Sequence, residues 1–142
     1  MREIWIIDDD EEMARAVGVM LRLLSCETTA FLSARSAVQT LLNGKIPELM
    51  IVDINMPEVS GLDLIEFLRR RVEWQSIPII MLSSEASDTI VEEALSAGAD
   101  TYVTKPVTLE ELEKALKVAF ANHGIGTENE KQEVKNQTGQ NQ

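Results

Sequence analysis

The sequence contains a single cysteine, Cys26, and a single histidine, His123. One cysteine excludes an intramolecular disulfide and a cysteine-rich metal site. Because Cys26 follows a helical pattern, we expect it to be a small buried apolar side chain. No apolar stretch approaches the length of a membrane span. The amino-terminal segment carries only four apolar residues before an acidic run, which does not make a signal peptide. A soluble cytoplasmic protein is therefore expected.

Basic residues are also few, since 13 Lys and Arg side chains stand against 24 Asp and Glu, for a net charge of −11. A surface of this sign repels nucleic acids and anionic membranes, which excludes both as direct partners. It favours metal cations or a basic protein partner. A chain of 142 residues that is 44% hydrophobic and 26% charged is typical of one globular domain.

Five apolar segments alternate with five helical patterns along the chain. Strands are predicted at 3–7, 27–31, 48–52, 77–82 and 101–104. The third and fourth show no polar alternation, as expected for strands covered on both faces, whereas 27–31 is more polar and indicates a sheet edge. Asp10, Ser33, Ser60 and Thr108 are predicted helix caps. The alternation predicts a parallel sheet with helices on both faces, a three-layer α/β/α fold.

Residues 1–122 are expected to form the folded domain and residues 123–142 a polar tail. Ile125 and Val134 are the only large apolar residues of the tail, too few to bury a core. We expect a disordered tail or a severed linker; an interaction peptide is the alternative. A single-domain protein and a domain cut from a longer chain both fit this pattern.

Polar residues stand where the predicted strands end. Asp8 and Asp9 follow the first strand, Asp53 the third, Ser83 the fourth and Lys105 the fifth. The carboxyl ends of parallel strands share one edge of the sheet, where ligands bind in such folds. Residues far apart in sequence are therefore expected to converge on one crevice.

The chemistry of this set indicates phosphoryl transfer. Asp8, Asp9 and Asp53 repel one another unless a cation neutralises them or one of them takes up a proton. All-oxygen ligands and few carboxylates suit Mg²⁺, while Lys105 and Ser83 suit phosphoryl oxygens. The set predicts a Mg²⁺-assisted site in which an aspartate is the nucleophile. Taken singly, Ser83 could be a turn residue and Lys105 a surface lysine.

Four segments carry a family resemblance: IWIIDDD, MIVDINMPEVSGLDL, IIMLSS and YVTKP. Together they resemble the receiver domain of bacterial two-component response regulators, in its single-domain, chemotaxis-regulator-like form. The resemblance covers about residues 3–121, and four motifs in order at family spacing are specific. It implies a flavodoxin-like five-stranded parallel sheet in the order 2-1-3-4-5.

The resemblance also implies roles in the metal and acceptor site. Asp53 would accept phosphate from the phosphohistidine of a sensor histidine kinase or a histidine phosphotransfer protein. Asp9, Asp53 and the backbone carbonyl of Asn55 would bind Mg²⁺, with Asp8 acting mostly through water. Lys105 would contact the phosphoryl group and, before phosphorylation, pair with Asp53.

Further roles implied by the resemblance concern the switch. Ser83 would move to bond a phosphoryl oxygen, and Tyr102 would turn inward to fill the vacated space. Asn55 and Glu85 resemble positions that tune hydrolysis of the aspartyl phosphate. The peptide bond before Pro106 would be cis. Phosphorylation would remodel the surface formed by the fourth helix, fifth strand and fifth helix, which the family uses to bind partners or to dimerise. The sequence does not identify the downstream partner.

Three alternatives stay open. A haloacid-dehalogenase-type phosphohydrolase also phosphorylates an aspartate after a strand, but it carries a second aspartate two residues later, where this chain has Asn55. A flavodoxin-like flavin binder needs a Ser/Thr/Gly-rich phosphate loop after the first strand, where this chain is acidic. A receiver-like adaptor that is never phosphorylated would have no need of the complete site.

Overall fold

The computed structural model describes residues 1–85 and 87–126. In chain order the elements are β1 (Arg2–Ile7), α1 (Glu11–Leu23), β2 (Cys26–Phe31), α2 (Ala34–Leu42), β3 (Leu49–Asp53), α3 (Gly61–Arg69), β4 (Ile79–Ser83), α4 (Asp88–Ala97), β5 (Thr101–Thr104) and α5 (Leu109–Asn122). The predicted alternation of five strands with five helices is confirmed.

All paired strands run parallel, in the order β2-β1-β3-β4-β5, which confirms the expected topology. β3 and β4 lie inside the sheet, and every one of their residues is buried. One apolar cluster joins α2, α3 and α4 to one face of the sheet, and a second joins α1 and α5 to the other. The chain is a three-layer α/β/α sandwich.

Both central strands extend one residue further than predicted. Asp53 and Ser83 were expected to follow β3 and β4, but each is the last residue of its strand. Asp53 pairs in register with Leu82, and Ser83 with Thr104. The ladder therefore holds the backbone of both polar residues, and their side chains are buried at the sheet edge.

The predicted helix caps are confirmed. Asp10, Ser33, Ser60 and Thr108 each accept a backbone N–H from the first turn of the following helix. Two leucines that belong to apolar helical patterns of the sequence, Leu95 and Leu109, are exposed. Leu95 lies on the solvent side of α4, where Ala94 makes the buried contact, and Leu109 is the first residue of α5, where the helix has only begun to cover the sheet.

Cys26 is buried at the start of β2, as expected of a small apolar side chain. Helix α5 ends at Asn122, where the sequence placed the domain boundary, but the next four residues still contact the fold. Ile125 packs against the α1 and α5 cluster, and the Arg2 guanidinium donates to the Gly126 carbonyl. Residues 127–142 of the predicted tail lie outside the described residues. Among the described helices, none is long and apolar enough to cross a membrane.

Candidate functional site at the carboxyl edge of the sheet

Four strands deliver polar side chains to one edge of the sheet. Asp8 directly follows β1, Asp53 and Ser83 end β3 and β4, and Lys105 directly follows β5. Ile7 pairs with Val52, Asp53 with Leu82 and Ser83 with Thr104, so these strands end at nearly the same level. The parallel register therefore brings residues nearly one hundred positions apart to one edge.

Three carboxylates meet there. Asp8, Asp9 and Asp53 each offer one oxygen, and these oxygens all lie within 4.8 Å of one another. Asp8 is fully buried and Asp53 is 4% exposed, whereas Asp9 faces solvent. Like charges this close, two of them away from water, disfavour the ionised forms unless a cation is present.

The two oxygens of Asp8 have different surroundings. Oδ1 accepts the backbone N–H of Asp10 at 2.9 Å. Oδ2 is buried and accepts no hydrogen bond from any described residue. Its nearest cation is the Lys105 ammonium at 3.4 Å, longer than a well-formed hydrogen bond. A buried carboxylate oxygen without a donor is costly, and a hard cation such as Mg²⁺ satisfies it. The donor set thus fits magnesium.

Lys105 is shared between two carboxylates. Its Nζ lies 3.4 Å from Asp8 Oδ2 and 3.4 Å from Asp53 Oδ1. Burial of the ammonium lowers the pKa of Lys105, but the charges of Asp53 and Asp8 outweigh burial, so the pKa is raised overall. One ammonium therefore faces three carboxylates, and the site keeps an excess of negative charge.

Asp53 carries the electrostatic consequence. Burial, followed by the charge of Asp8, raises the pKa of Asp53 from 3.8 to about 6. Lys105 and the backbone N–H of Asn55, which donates to Asp53 Oδ1 at 3.3 Å, lower the pKa but do not cancel the rise. A carboxylate held above its ordinary pKa in a crevice is typical of a functional group.

The backbone of Asp53 is held closely by the start of α3. The Gly61 N–H donates to the Ile54 carbonyl at 3.0 Å. A Cβ added at Gly61 would lie 2.2 Å from the Asp53 carbonyl oxygen, a distance that side chains do not adopt. Only glycine allows this approach, so Gly61 fixes where β3 presents its aspartate. The predicted helix cap at Ser60 gives no sign of this close approach at Gly61.

Ser83 is buried beside this cluster, but its hydroxyl forms hydrogen bonds with a residue outside the cluster. Its hydroxyl donates to the Glu85 carbonyl at 2.7 Å and accepts the Glu85 N–H at 3.0 Å. The Glu85 and Asn55 side chains face solvent. Tyr102 on β5 is 40% exposed and lines a groove of about 310 Å³ between β5 and α5.

The structure thus brings Asp8, Asp9, Asp53 and Lys105 together and places the backbone of Asn55 against Asp53. It leaves the Tyr102 and Glu85 side chains outside the cluster. The bond between Lys105 and Pro106 is cis, as the resemblance implies. The roles of these residues in metal binding, phosphoryl binding and switching stay predictions.

A second charge cluster, partly buried and missed by sequence reasoning, lies at the opposite, amino edge of the sheet. Asp100 accepts the Ile79 N–H at 2.8 Å, Arg69 Nη2 lies 3.2 Å from the same oxygen, and His123 Nε2 lies 2.9 Å from the other. Arg69 also donates to the Gly98 and Ile77 carbonyls. These bonds join α3, β4 and α5, and indicate a structural role.

Comparison with known proteins agrees with this geometry. Residues 4–117 match the family profile described as response regulator receiver domain. The chain is 34% identical to the KDP operon transcriptional regulatory protein KdpE of Escherichia coli over 134 residues, 89% of this chain and 55% of that protein. It is 32% identical to the chemotaxis protein CheY1 of Helicobacter pylori over 124 residues, 85% of this chain and 98% of that protein.

A solved structure gives the same result. The crystal structure of a putative response regulator from Chloroflexus aurantiacus superposes with a TM-score of 0.80 at 27% identity, over 84% of this chain and 98% of that one. The chain spans about half the length of KdpE and nearly all of the chemotaxis protein. The fold, the acidic crevice and these relatives together show that the chain belongs to the receiver-domain family of response regulators, the phospho-accepting signalling domains of two-component systems.

Proposed function

We propose that this chain is a phospho-accepting switch in which Asp53 receives the phosphoryl group. The donor is the phosphohistidine of a sensor histidine kinase or of a histidine phosphotransfer protein. The observation that supports this most strongly is the pairing of buried Asp53 with Lys105 at 3.4 Å, beside a buried Asp8 oxygen that accepts no hydrogen bond from the described residues. In such a site Asp53 supplies the nucleophile and Lys105 a positive charge for the incoming phosphoryl oxygens.

Magnesium is the cofactor that the donor set fits. We assign Asp8, Asp9, Asp53 and the backbone carbonyl of Asn55 to hold it, with Asp8 acting mostly through water. When bound, Mg²⁺ supplies positive charge that offsets the carboxylates and the phosphoryl oxygens. Asp9 is the exposed member of the acidic trio, so a cation can approach from that side.

The transfer itself needs little from the protein beyond position and charge. A carboxylate oxygen of Asp53 forms a bond to phosphorus as the bond between phosphorus and the donor imidazole nitrogen breaks, and the bonding electrons leave with that nitrogen. Gly61 sets the backbone from which Asp53 attacks. Lys105, already 3.4 Å from the Asp53 carboxylate, is positioned to contact the new phosphoryl oxygens.

The output follows from Ser83 and Tyr102. The Ser83 hydroxyl bonds the Glu85 backbone, so it must break those bonds to reach a phosphoryl oxygen. We propose that this movement draws in Glu85 and lets Tyr102 turn inward from its exposed position. The surface formed by α4, β5 and α5 then changes, which controls a downstream partner or homodimerisation.

Two side chains are proposed to set the lifetime of the aspartyl phosphate. Both side chains face solvent. Asn55 lies two residues after Asp53, and Glu85 lies two residues after Ser83. From there they can meet a water approaching the phosphoryl group. We further propose residues 1–122 as the receiver domain and 123–142 as a tail or linker.

The test is phosphorylation by a small donor. Wild-type protein incubated with Mg²⁺ and acetyl phosphate should gain one phosphoryl group by intact mass, and chelation of Mg²⁺ should abolish the gain. Asp53→Asn should gain none, while Asp63→Asn, a solvent-exposed aspartate on α3, should behave as wild type. An unmodified wild type would support the adaptor alternative instead. A phosphoryl group that persists in Asp53→Asn would place the acceptor elsewhere. The family assignment leaves the phosphohydrolase and flavin-binding alternatives without support.

A further inference from the structure

A second groove lies away from the acceptor site, between α2 and α3. It has a volume of about 300 Å³, and its apolar lining includes Val38, Val59, Leu64 and Phe67. Arg35 on α2 and Asp63 on α3 line it as well. Val59 is 37% exposed, so part of this apolar surface faces solvent. A groove between two helices that pack on the same face of a sheet can accept a third helix.

The α2 wall differs in charge from the rest of the surface. Of the five helices of the described chain, α2 alone carries no Asp or Glu. Its only charged residue is Arg35. Residues 33–75 carry five basic and six acidic side chains, whereas the whole chain has a net charge of −11. The groove is therefore a nearly neutral strip on an acidic protein.

Two arginines near the groove, Arg35 and Arg71, have no acidic partner among the described residues. Within the part of the chain that the structure describes, no carboxylate lies within 4.0 Å of the Arg35 or Arg71 guanidinium. Arg71 instead stacks over Phe67, a groove residue, with its guanidinium carbon 5.0 Å from the ring centroid. Both cations remain available for a partner's carboxylates, whose bonds would be charge-assisted.

We infer that the α2–α3 groove docks an amphipathic helix of a partner protein whose apolar stripe is flanked by Asp and Glu. The apolar stripe enters the groove, and the carboxylates lie along α2 toward Arg35 and at the far end toward Arg71. Asp63 on the α3 wall sets the orientation, because it disfavours carboxylates on that side. α2 spans about 13 Å, which matches apolar side chains at positions i, i+3 or i+4, and i+7. The inference concerns the unphosphorylated protein and does not rest on Asp53 as acceptor.

The test uses two synthetic peptides of about 18 residues, five helical turns. Both carry Leu at the spacing just given, one with Glu and the other with Lys at the flanking positions. Titrated into isotopically labelled full chain, the Glu peptide should shift the backbone amide signals of residues 34–39 and 59–67. The net charge of −11 attracts the Lys peptide to the whole protein surface. Tighter binding of the Glu peptide at this groove would therefore show that local contacts outweigh the overall charge.

Matched variants locate the interaction. Arg35→Glu should weaken Glu-peptide binding roughly fivefold, whereas Arg22→Glu on α1 should leave it unchanged. Val59→Glu should weaken binding at least as much, and Val19→Glu, at a site 47% exposed on α1, should not. Circular dichroism of each variant confirms that it is folded.

Several outcomes would overturn the inference. These are equal or tighter binding of the Lys peptide at the groove, shifts confined to the groove between β5 and α5, and no shifts at millimolar peptide. Shifts of residues 34–39 and 59–67 on concentrating the protein without peptide would assign the groove to a second copy of this chain. Any of these results leaves the phosphorylation of Asp53 untouched.

Discussion

Both edges of the sheet hold charged side chains, buried at the carboxyl edge and partly buried at the amino edge, but only the amino edge provides hydrogen-bond partners for all the oxygens of its carboxylate. At the amino edge, both Asp100 oxygens have partners between 2.8 and 3.2 Å from Ile79, Arg69 and His123. At the carboxyl edge, Asp8 and Asp53 share one ammonium at 3.4 Å, and Asp8 Oδ2 accepts no hydrogen bond within the described chain. The amino edge is a completed network, whereas the carboxyl edge keeps an excess of negative charge.

The electrostatics of the two edges follow the same division. Burial, and then the neighbouring Asp8, raises the pKa of Asp53 to about 6. At the amino edge, burial lowers the pKa of Arg69 while Asp100 raises it, so the pair partly compensates. Buried charge by itself therefore does not identify a functional site. An excess of one sign with an unsatisfied oxygen does.

The largest expected effect comes from breaking the satisfied edge. Asp100→Asn removes the carboxylate that faces partly buried Arg69 and His123, and we expect it to lower the free energy of unfolding by about 3 kcal/mol. Urea denaturation measures this. Glu66→Gln, an exposed α3 position, should change stability by less than about 0.5 kcal/mol. A similarly small loss for Asp100→Asn would mean that the amino-edge network is not structural.

The next effect concerns the backbone of the carboxyl edge. Gly61→Ala forces a Cβ against the Asp53 carbonyl, and we expect it to destabilise the protein by about 2 kcal/mol and to slow its phosphorylation by acetyl phosphate. Gly18→Ala is the matched control, because its Cβ meets its nearest atom, Thr28 Oγ1, at an ordinary 3.5 Å. A helical Gly→Ala change without a clash should stabilise by up to about 1 kcal/mol. Equal behaviour of the two variants would disprove the role given to Gly61.

Magnesium should distinguish the two edges directly. At a Mg²⁺ concentration tenfold above its dissociation constant, the wild type should gain about 1.4 kcal/mol of stability. Asp8→Asn and Asp9→Asn should lose most of that gain, because each removes a charge from the donor set. Asp100→Asn should keep it, although its stability starts lower. An undiminished gain in Asp8→Asn would move the cation site away from this crevice.

Much of the carboxyl edge could be predicted because its residues are tied to strand ends. Parallel strands align their carboxyl ends, so Asp8, Asp53, Ser83 and Lys105 could be placed near one another from element order alone. Their detailed contacts could not be predicted. Lys105 lies equally close to Asp8 and Asp53, and Ser83 bonds the Glu85 backbone. Both contacts depend on side-chain geometry, which cannot be read from the spacing of residues in the sequence.

The amino edge was missed for a physical reason. Arg69, Asp100 and His123 are single residues at a helix end, in a loop and after a helix, and no motif or periodicity links them. Only tertiary packing brings them together. Leu95 and Leu109 are exposed although both belong to apolar helical patterns, because helical periodicity does not reveal how far a helix covers the sheet at each turn.

The most direct measurement compares Asp53→Asn with wild type in metal-free buffer across pH. The pKa of Asp53 is raised from 3.8 to about 6 on folding, so its contribution to stability is full below pH 3.8 and is lost as the pH rises through 6. Well above pH 6, Asp53→Asn should therefore be more stable than wild type by about 1 kcal/mol, after allowance for solvent screening. The difference should vanish well below pH 3.8, where the wild-type carboxyl is protonated in both states. Asp100→Asn should be less stable than wild type well above pH 6, the opposite sign. A loss of stability in Asp53→Asn above pH 6 would contradict the account, because it would make both edges structural networks of the same kind.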